Sequence, residues 1–111
     1  MTKAVNKDSV FLGTELKLNI HIDPIGSITM EDYDFEIEVF CTPKKSITIT
    51  KEDAIWITKN DYVVLVDTNE VGVGTLKVKV IAHIPDGDFG DQARTEVSVE
   101  DTGIEIIKTL E

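Results

Sequence analysis

One loop-like segment holds the residues with the clearest potential for metal chemistry. Asp86, Asp88 and Asp91 are interspersed with glycines in the segment 85–91. Hard cations such as Ca²⁺ bind several carboxylate oxygens, so these three aspartates are the candidate metal ligands. The segment lacks the regular D-x-D-x-D-G spacing and the distal Glu of an EF-hand loop. A plain turn with glycines at unusual backbone angles is the better interpretation, and we expect no metal or cofactor.

A second acidic stretch, residues 31–38, offers carboxylates at strand spacing. Period 2 places four of them on one face: Asp32, Asp34, Glu36 and Glu38. A calcium site is one interpretation, but same-face residues of a strand lie about 7 Å apart, too far to close on one ion. We therefore expect a solvated outer face. Its charge repulsion would be relieved by Lys77 and Lys79 on a neighbouring strand.

The residue types needed for zinc binding or nucleophilic catalysis are present but do not form a motif. His21 and His83 fall on predicted outer faces, and a zinc site would need a third ligand beside them. Cys41 has the inward phase of its strand, which predicts a buried, inert thiol. The chain has no G-x-S-x-G motif, and the segment 72–74 is too short for a phosphate loop. We therefore expect no enzymatic activity.

The elements that position these residues are predicted to be strands. Val, Ile and Thr account for 38 of the 111 residues, and such β-branched side chains suit a pleated surface. Strict alternation predicts half-buried strands over 15–23, 33–41 and 76–84, and an apolar run predicts a central strand over 62–66. Weaker strand candidates are 10–12, 46–50, 54–57, 94–99 and 103–107, with one helical turn at 51–54.

Turn residues separate these runs every 8–12 residues, which is typical of an antiparallel sandwich or barrel. The sequence therefore predicts an all-β, immunoglobulin-like antiparallel β-sandwich of seven to eight strands. The expected inward residues are Leu16, Leu18, Ile20, Ile22, Phe35, Ile37, Val39, Leu76, Val78 and Val80. We expect one domain over 10–111, preceded by a polar arm or edge strand over 1–9.

Charge and composition exclude several functions. The net charge of −10 argues against binding nucleic acid or anionic membranes, because both require a cationic surface. One cysteine rules out an internal disulfide. The first residues contain no apolar signal-peptide core, and no run approaches the roughly 18 apolar residues of a membrane span.

Protein binding remains, and four apolar residues are the candidate contacts. Phe40 and Ile81 interrupt the polar alternation on outer strand faces, and we expect Trp56 and Phe89 to be exposed as well. An exposed aromatic patch rimmed by charge would mark an interface. Edge strands offer a second mode, in which a neighbour's strand is added to the sheet. Self-association is possible by the same route.

Two stretches of the sequence resemble a known family. They are 12–20 with 30–39, and 61–68 with the segments 72–76, 84–89, 94–97 and 102–104. Together they resemble the immunoglobulin-like β-sandwich domains of tailed-phage virion proteins, nearest to those of phages infecting gut Bacteroidetes, including crAss-like phages. They are also similar to the N-terminal domain of upper baseplate proteins. The resemblance covers about residues 11–108.

The resemblance implies a non-enzymatic virion structural protein made in the bacterial host cytoplasm. No stalk or receptor-binding tip follows Ile107 in the sequence, so we expect a head auxiliary protein that decorates the capsid. Its partner would be the major capsid protein or another virion protein, bound through an edge strand and the N-terminal arm. A tail, baseplate or fibre-adaptor component is the alternative. A carbohydrate-binding module is a further alternative, since such modules often use a sandwich with exposed aromatics.

Overall fold

The computed structural model describes residues 8–108, which form eight strands and three short 3-10 helices. The strands are β1 (Asp8–Phe11), β2 (Glu15–His21), β3 (Asp34–Thr42), β4 (Lys45–Thr50), β5 (Ile55–Thr58), β6 (Asp61–Asp67), β7 (Gly74–Pro85) and β8 (Ala93–Ile107). The 3-10 helices span Met30–Asp32, Lys51–Asp53 and Thr68–Glu70. None of these helices is long or apolar enough to cross a membrane.

The strands form two sheets that pack face to face. The larger has the order β1-β8-β7-β3-β4 and the smaller the order β2-β6-β5. All neighbouring strands are antiparallel except β1 and β8, which run parallel. In the immunoglobulin arrangement, a sheet of the second, sixth and fifth strands faces a sheet of the eighth, seventh, third and fourth strands. This chain has the same arrangement. The all-β, immunoglobulin-like sandwich predicted from the sequence is confirmed.

The core lies between the sheets and is supplied by the alternating residues of the long strands. Eight of the ten residues predicted to face inward are buried, and Leu16 and Ile22 are partly buried against the same core. The fully buried Phe35 lies near its centre and makes edge-to-face contacts with two tyrosines. Its ring centroid is 5.0 Å from that of Tyr62 and 6.3 Å from that of Tyr33.

Three sequence expectations need adjustment. Asp32 lies in a 3-10 helix, because its carboxylate accepts the backbone N–H of Thr29 (2.9 Å) and caps that turn before β3 begins. The two weak strands at 94–99 and 103–107 are parts of one strand, β8. A register shift against β7 and a positive φ of 80° at Gly103 mark a bulge within it. Asp8 and Ser9 of the expected arm belong to β1, and residues 1–7 lie outside the described residues.

The turn from β1 to β2 carries the chain from the larger sheet to the smaller one, and Thr68 holds it. The Thr68 hydroxyl accepts the backbone N–H of Gly13 and donates to the carbonyl of Thr14, both at 2.8 Å. Thr68 is the only buried polar residue of the described chain, and both hydrogen bonds of its hydroxyl are made to this turn. Gly13 has a φ of 102°, which a residue with a side chain adopts only with strain.

Candidate protein-binding surface

The three candidate metal ligands do not converge. Arg94 donates to Asp86 (2.9 Å) and to Glu96, so the carboxylate of Asp86 forms an ion pair. The backbone N–H of Asp88, together with Arg94, lowers the pKa of Asp86. Asp88 and Asp91 are exposed in the same loop. Within residues 8–108 no group of three His, Cys, Asp or Glu side chains is placed to hold a metal ion.

The acidic stretch is part of a mixed-charge outer face on the larger sheet. Glu38 lies opposite Lys79, with 3.8 Å between the charged atoms, as the strand spacing predicts. Glu36 pairs instead with His83, at 3.0 Å. Lys77 lies opposite Phe40 on β3 and opposite Asp101 on β8, so its expected pairing with the acidic stretch is wrong. This outer face therefore combines pairs of opposite charges with apolar side chains such as Phe40 and Ile81.

Cys41, the candidate nucleophile, and the histidines lie in different environments. Cys41 is buried, its thiol lies 3.5 Å from the carbonyl of Gly72, and burial raises its pKa. His21 lies on the outer face of the smaller sheet, between the carboxylates of Asp61 (2.8 Å) and Asp23 (3.0 Å). These two carboxylates raise the pKa of His21, in that order of effect. His21 is therefore placed between two carboxylates and has an electrostatic role.

The four residues predicted to contact a partner fall in three separate places. Phe40 and Ile81 are half-buried on the outer face of the larger sheet, with the row of Glu38 and Lys79 between them. Phe89 is exposed in the loop between β7 and β8. Trp56 lies on β5, at the edge of the smaller sheet, and is 55% exposed. The structure therefore does not join the four into one patch.

Trp56 belongs to an exposed apolar edge strand, which we name, together with two outward residues of β6, the β5 surface: Ile55, Trp56, Ile57, Val63 and Leu65. Three consecutive apolar residues of β5 are exposed, and β5 pairs with β6 alone in the described chain. On the outer face, Ile55 lies beside Val63, and Leu65, two residues further along β6, is 57% exposed. An exposed apolar run on an edge strand is the kind of surface that a second protein covers.

Sequence reasoning identified Trp56 but missed its isoleucine neighbours and Leu65. The run Ile55-Trp56-Ile57 predicted a strand, and a strand's apolar residues are assigned to the core by default. Exposure follows from the position of β5 at the edge of a three-stranded sheet, where its side chains extend beyond their neighbours. The available signal was the lack of alternation: a half-buried edge strand is expected to place polar residues at every second position.

Comparison with known proteins does not assign this chain to a group. No protein-family model matches it, and neither does any curated protein or any solved structure.

Proposed function

We propose that this protein is a non-enzymatic structural component of a tailed-phage virion that decorates the capsid by binding the shell protein through the β5 surface. The observation that carries the binding function is the exposed Ile55-Trp56-Ile57 run on a strand whose outer edge is unpaired within residues 8–108. The virion assignment comes from the sequence resemblance. His21 and Asp86 are engaged in ion pairs and Cys41 is buried, which favours a binding role.

Trp56 is the expected centre of the interface. Tryptophan is enriched among the few residues that carry most of an interface's binding energy, because it buries a large apolar area. The neighbouring isoleucines and Leu65 would exclude water around it. The high negative charge keeps the free protein soluble before it assembles.

The test of location is quantitative mass spectrometry of purified particles from the source phage. A copy number equal to that of the major capsid protein, or a simple fraction of it, would establish capsid decoration. A handful of copies per particle would place the protein in the tail, the baseplate or a fibre mount. Absence from the particle would overturn the virion assignment.

The test of the surface is the binding of purified variants to particles that lack the protein. Trp56→Ser should weaken binding by at least about tenfold. Phe89→Ser is the matched control, because it also removes an exposed aromatic ring, and it should change binding less than about twofold. Equal loss in both variants, or loss only with Phe89→Ser, would contradict the assignment of the β5 surface. A glycan array on which Trp56 supports binding would instead favour a carbohydrate-binding module.

A further inference from the structure

The outer face of the smaller sheet carries an apolar stripe that ends at a group of carboxylates. Leu65 is 57% exposed, and Val63 and Ile55 continue the stripe towards β5. Lys17 lies directly opposite Leu65, so both side chains project from the same outer face. Leu65 therefore connects the β5 surface to the end of the sheet at which β2 begins and β6 ends.

Two carboxylates lie opposite each other at this end of the sheet. Glu15 and Asp67 are cross-strand partners, in the outer-face row next to that of Lys17 and Leu65. Like charges directly opposite each other on antiparallel strands destabilise the pairing. Glu70, in the 3-10 helix that follows β6, lines the same shallow hollow of about 500 Å³. The hollow is therefore acidic and borders the apolar stripe.

No cation of the described chain neutralises this hollow. Within residues 8–108, Glu15, Glu70 and Lys17 belong to no ion pair. Asp67 accepts the backbone N–H of Asn69 at 3.0 Å, which is a neutral donor. The free protein therefore exposes uncompensated negative charge beside the apolar stripe.

This charge selects among possible occupants. A second copy of the chain carries the same carboxylates, so contact between two copies would bring like charges together. Residues 1–7 precede Asp8, and β1 then runs from Asp8 to Phe11 before the turn that leads to Glu15. The described chain thus begins at the end of β1 that is further from the hollow. A partner with lysine or arginine on its surface has the complementary charge.

We propose that the partner bound by the β5 surface contributes a lysine or arginine side chain to this hollow. The aliphatic stem of that side chain would lie on Leu65. Its charged head would pair with Glu15 and Asp67 and relieve their repulsion. The inference rests on the proposed capsid contact and specifies its chemistry. The shell surface would be apolar opposite β5 and basic opposite the start of β2.

The probe is the purified particle that lacks this protein. Glu15→Gln with Asp67→Asn, which we name the carboxylate variant, removes both facing charges, and the amide at position 67 keeps an oxygen that can accept the N–H of Asn69. It should bind at least about fivefold more weakly than the unsubstituted chain. Asp88→Asn with Asp91→Asn is the matched control, because it removes the same charge from an exposed loop. The control should change binding by less than about twofold.

Two further measurements separate a binding role from a structural one. Lys17→Gln removes the lysine beside the carboxylates, so binding should strengthen by about twofold. The urea midpoint of the carboxylate variant should stay equal or rise, because two facing like charges are removed. A structural role of these carboxylates would instead lower the midpoint together with the binding.

The outcomes distinguish this inference from the capsid contact itself. Loss of binding with Trp56→Ser but not with the carboxylate variant would keep the capsid contact and overturn the basic side chain. Particles that bind no form of the protein would overturn both. Weaker binding of Lys17→Gln, or a lower urea midpoint of the carboxylate variant, would overturn the inference alone.

Two other occupants would also be recognised. Stronger particle binding after deletion of residues 1–7 or 109–111 would assign the hollow to the chain's own termini and overturn a partner side chain. Dimers of the free chain that dissociate in the carboxylate variant, measured by analytical ultracentrifugation, would assign it to a second copy and overturn the inference as well.

Discussion

The two long sides of the sandwich, where the edges of the two sheets meet, are closed in different ways. On one side, β4 and β5 are consecutive, and residues 51–54 cross directly between them. Lys51 in this crossing donates to the carbonyls of Glu31 (3.0 Å) and Tyr33 (2.7 Å) and lies 5.7 Å above the ring of Phe35. On the other side, β2 and β8 leave a groove whose walls are polar.

Because of this difference, the two sides of the sandwich have different roles. The covalent crossing and the Lys51 hydrogen bonds close the core where the aromatic residues lie, so that side supports stability. Within residues 8–108, the groove side is crossed at one end by the turn that Thr68 holds. Stability should therefore be most sensitive to substitutions near the closed side.

The largest effect is expected at Phe35. Phe35→Ala removes a fully buried ring beneath the Lys51 crossing and leaves a cavity between two tyrosines. We expect a loss of about 3–5 kcal/mol in the free energy of unfolding, measured by urea denaturation. Phe89→Ala, at an exposed ring, should change it by less than about 0.5 kcal/mol. Similar losses in both would mean that the aromatic core is not where the structure places it.

A smaller loss is expected at the turn that closes the end of the groove side. Thr68→Val preserves the side-chain shape but leaves the N–H of Gly13 and the carbonyl of Thr14 without the hydroxyl. The unfolding free energy should fall by about 1–3 kcal/mol. Thr48→Val on the exposed face of β4 is the control and should be close to neutral. A neutral Thr68 variant would show that this turn is held by other contacts.

The Lys51 crossing should contribute less to the free energy of unfolding than Phe35 or Thr68 does. Lys51→Met keeps the aliphatic stem over Phe35 and removes the two hydrogen bonds to backbone carbonyls. We expect a loss of about 1 kcal/mol in the same denaturation experiment. Lys44→Met, at an exposed lysine in the β3–β4 turn, is the matched control. If the two variants unfold alike, the closed side owes its stability to packing alone.

The smallest effect, and one that depends on pH, is expected at His21 on the groove side. Asp61 and Asp23 raise its pKa above 6.5, so folding favours the protonated ring. Its stabilising contribution is complete below pH 6.5 and disappears as the pH rises through the higher folded pKa. His21→Gln should therefore destabilise the protein at pH 5.5 and have no effect at pH 9, as thermal unfolding would show. A loss that is equal at both pH values would contradict the ion-pair role.

The strands themselves were predictable because their residues alternate with period 2 and are rich in Val, Ile and Thr. Glu15–His21 and Gly74–Pro85 lie within two residues of their predicted bounds. The outward phase of His21 and His83 and the inward phase of Cys41 followed from the same alternation. Even the single helical turn at Lys51–Asp53 was indicated by its polar sequence after Thr50.

The candidate binding surfaces were less predictable because they depend on which strands end a sheet. The exposure of Ile55, Ile57 and Glu100 follows from the order of the strands in each sheet. That order involves pairings between distant parts of the chain. The structure adds the ion pair of Asp86 with Arg94. That this ion pair competes with metal binding by Asp86 became clear only from the 2.9 Å distance between Arg94 and Asp86.

The parallel pairing of β1 with β8 also constrains how the chain can fold. Asp8–Phe11 lie beside Ile104–Ile107, so almost the whole described chain lies between two adjacent strands. Ile106, which is 1% exposed, is the last core residue to be synthesised within residues 8–108. Contacts of such large sequence separation make all-β domains fold in milliseconds to seconds. A nascent chain that has not yet released Ile104–Ile107 from the ribosome has neither β1 in its place nor a completed core.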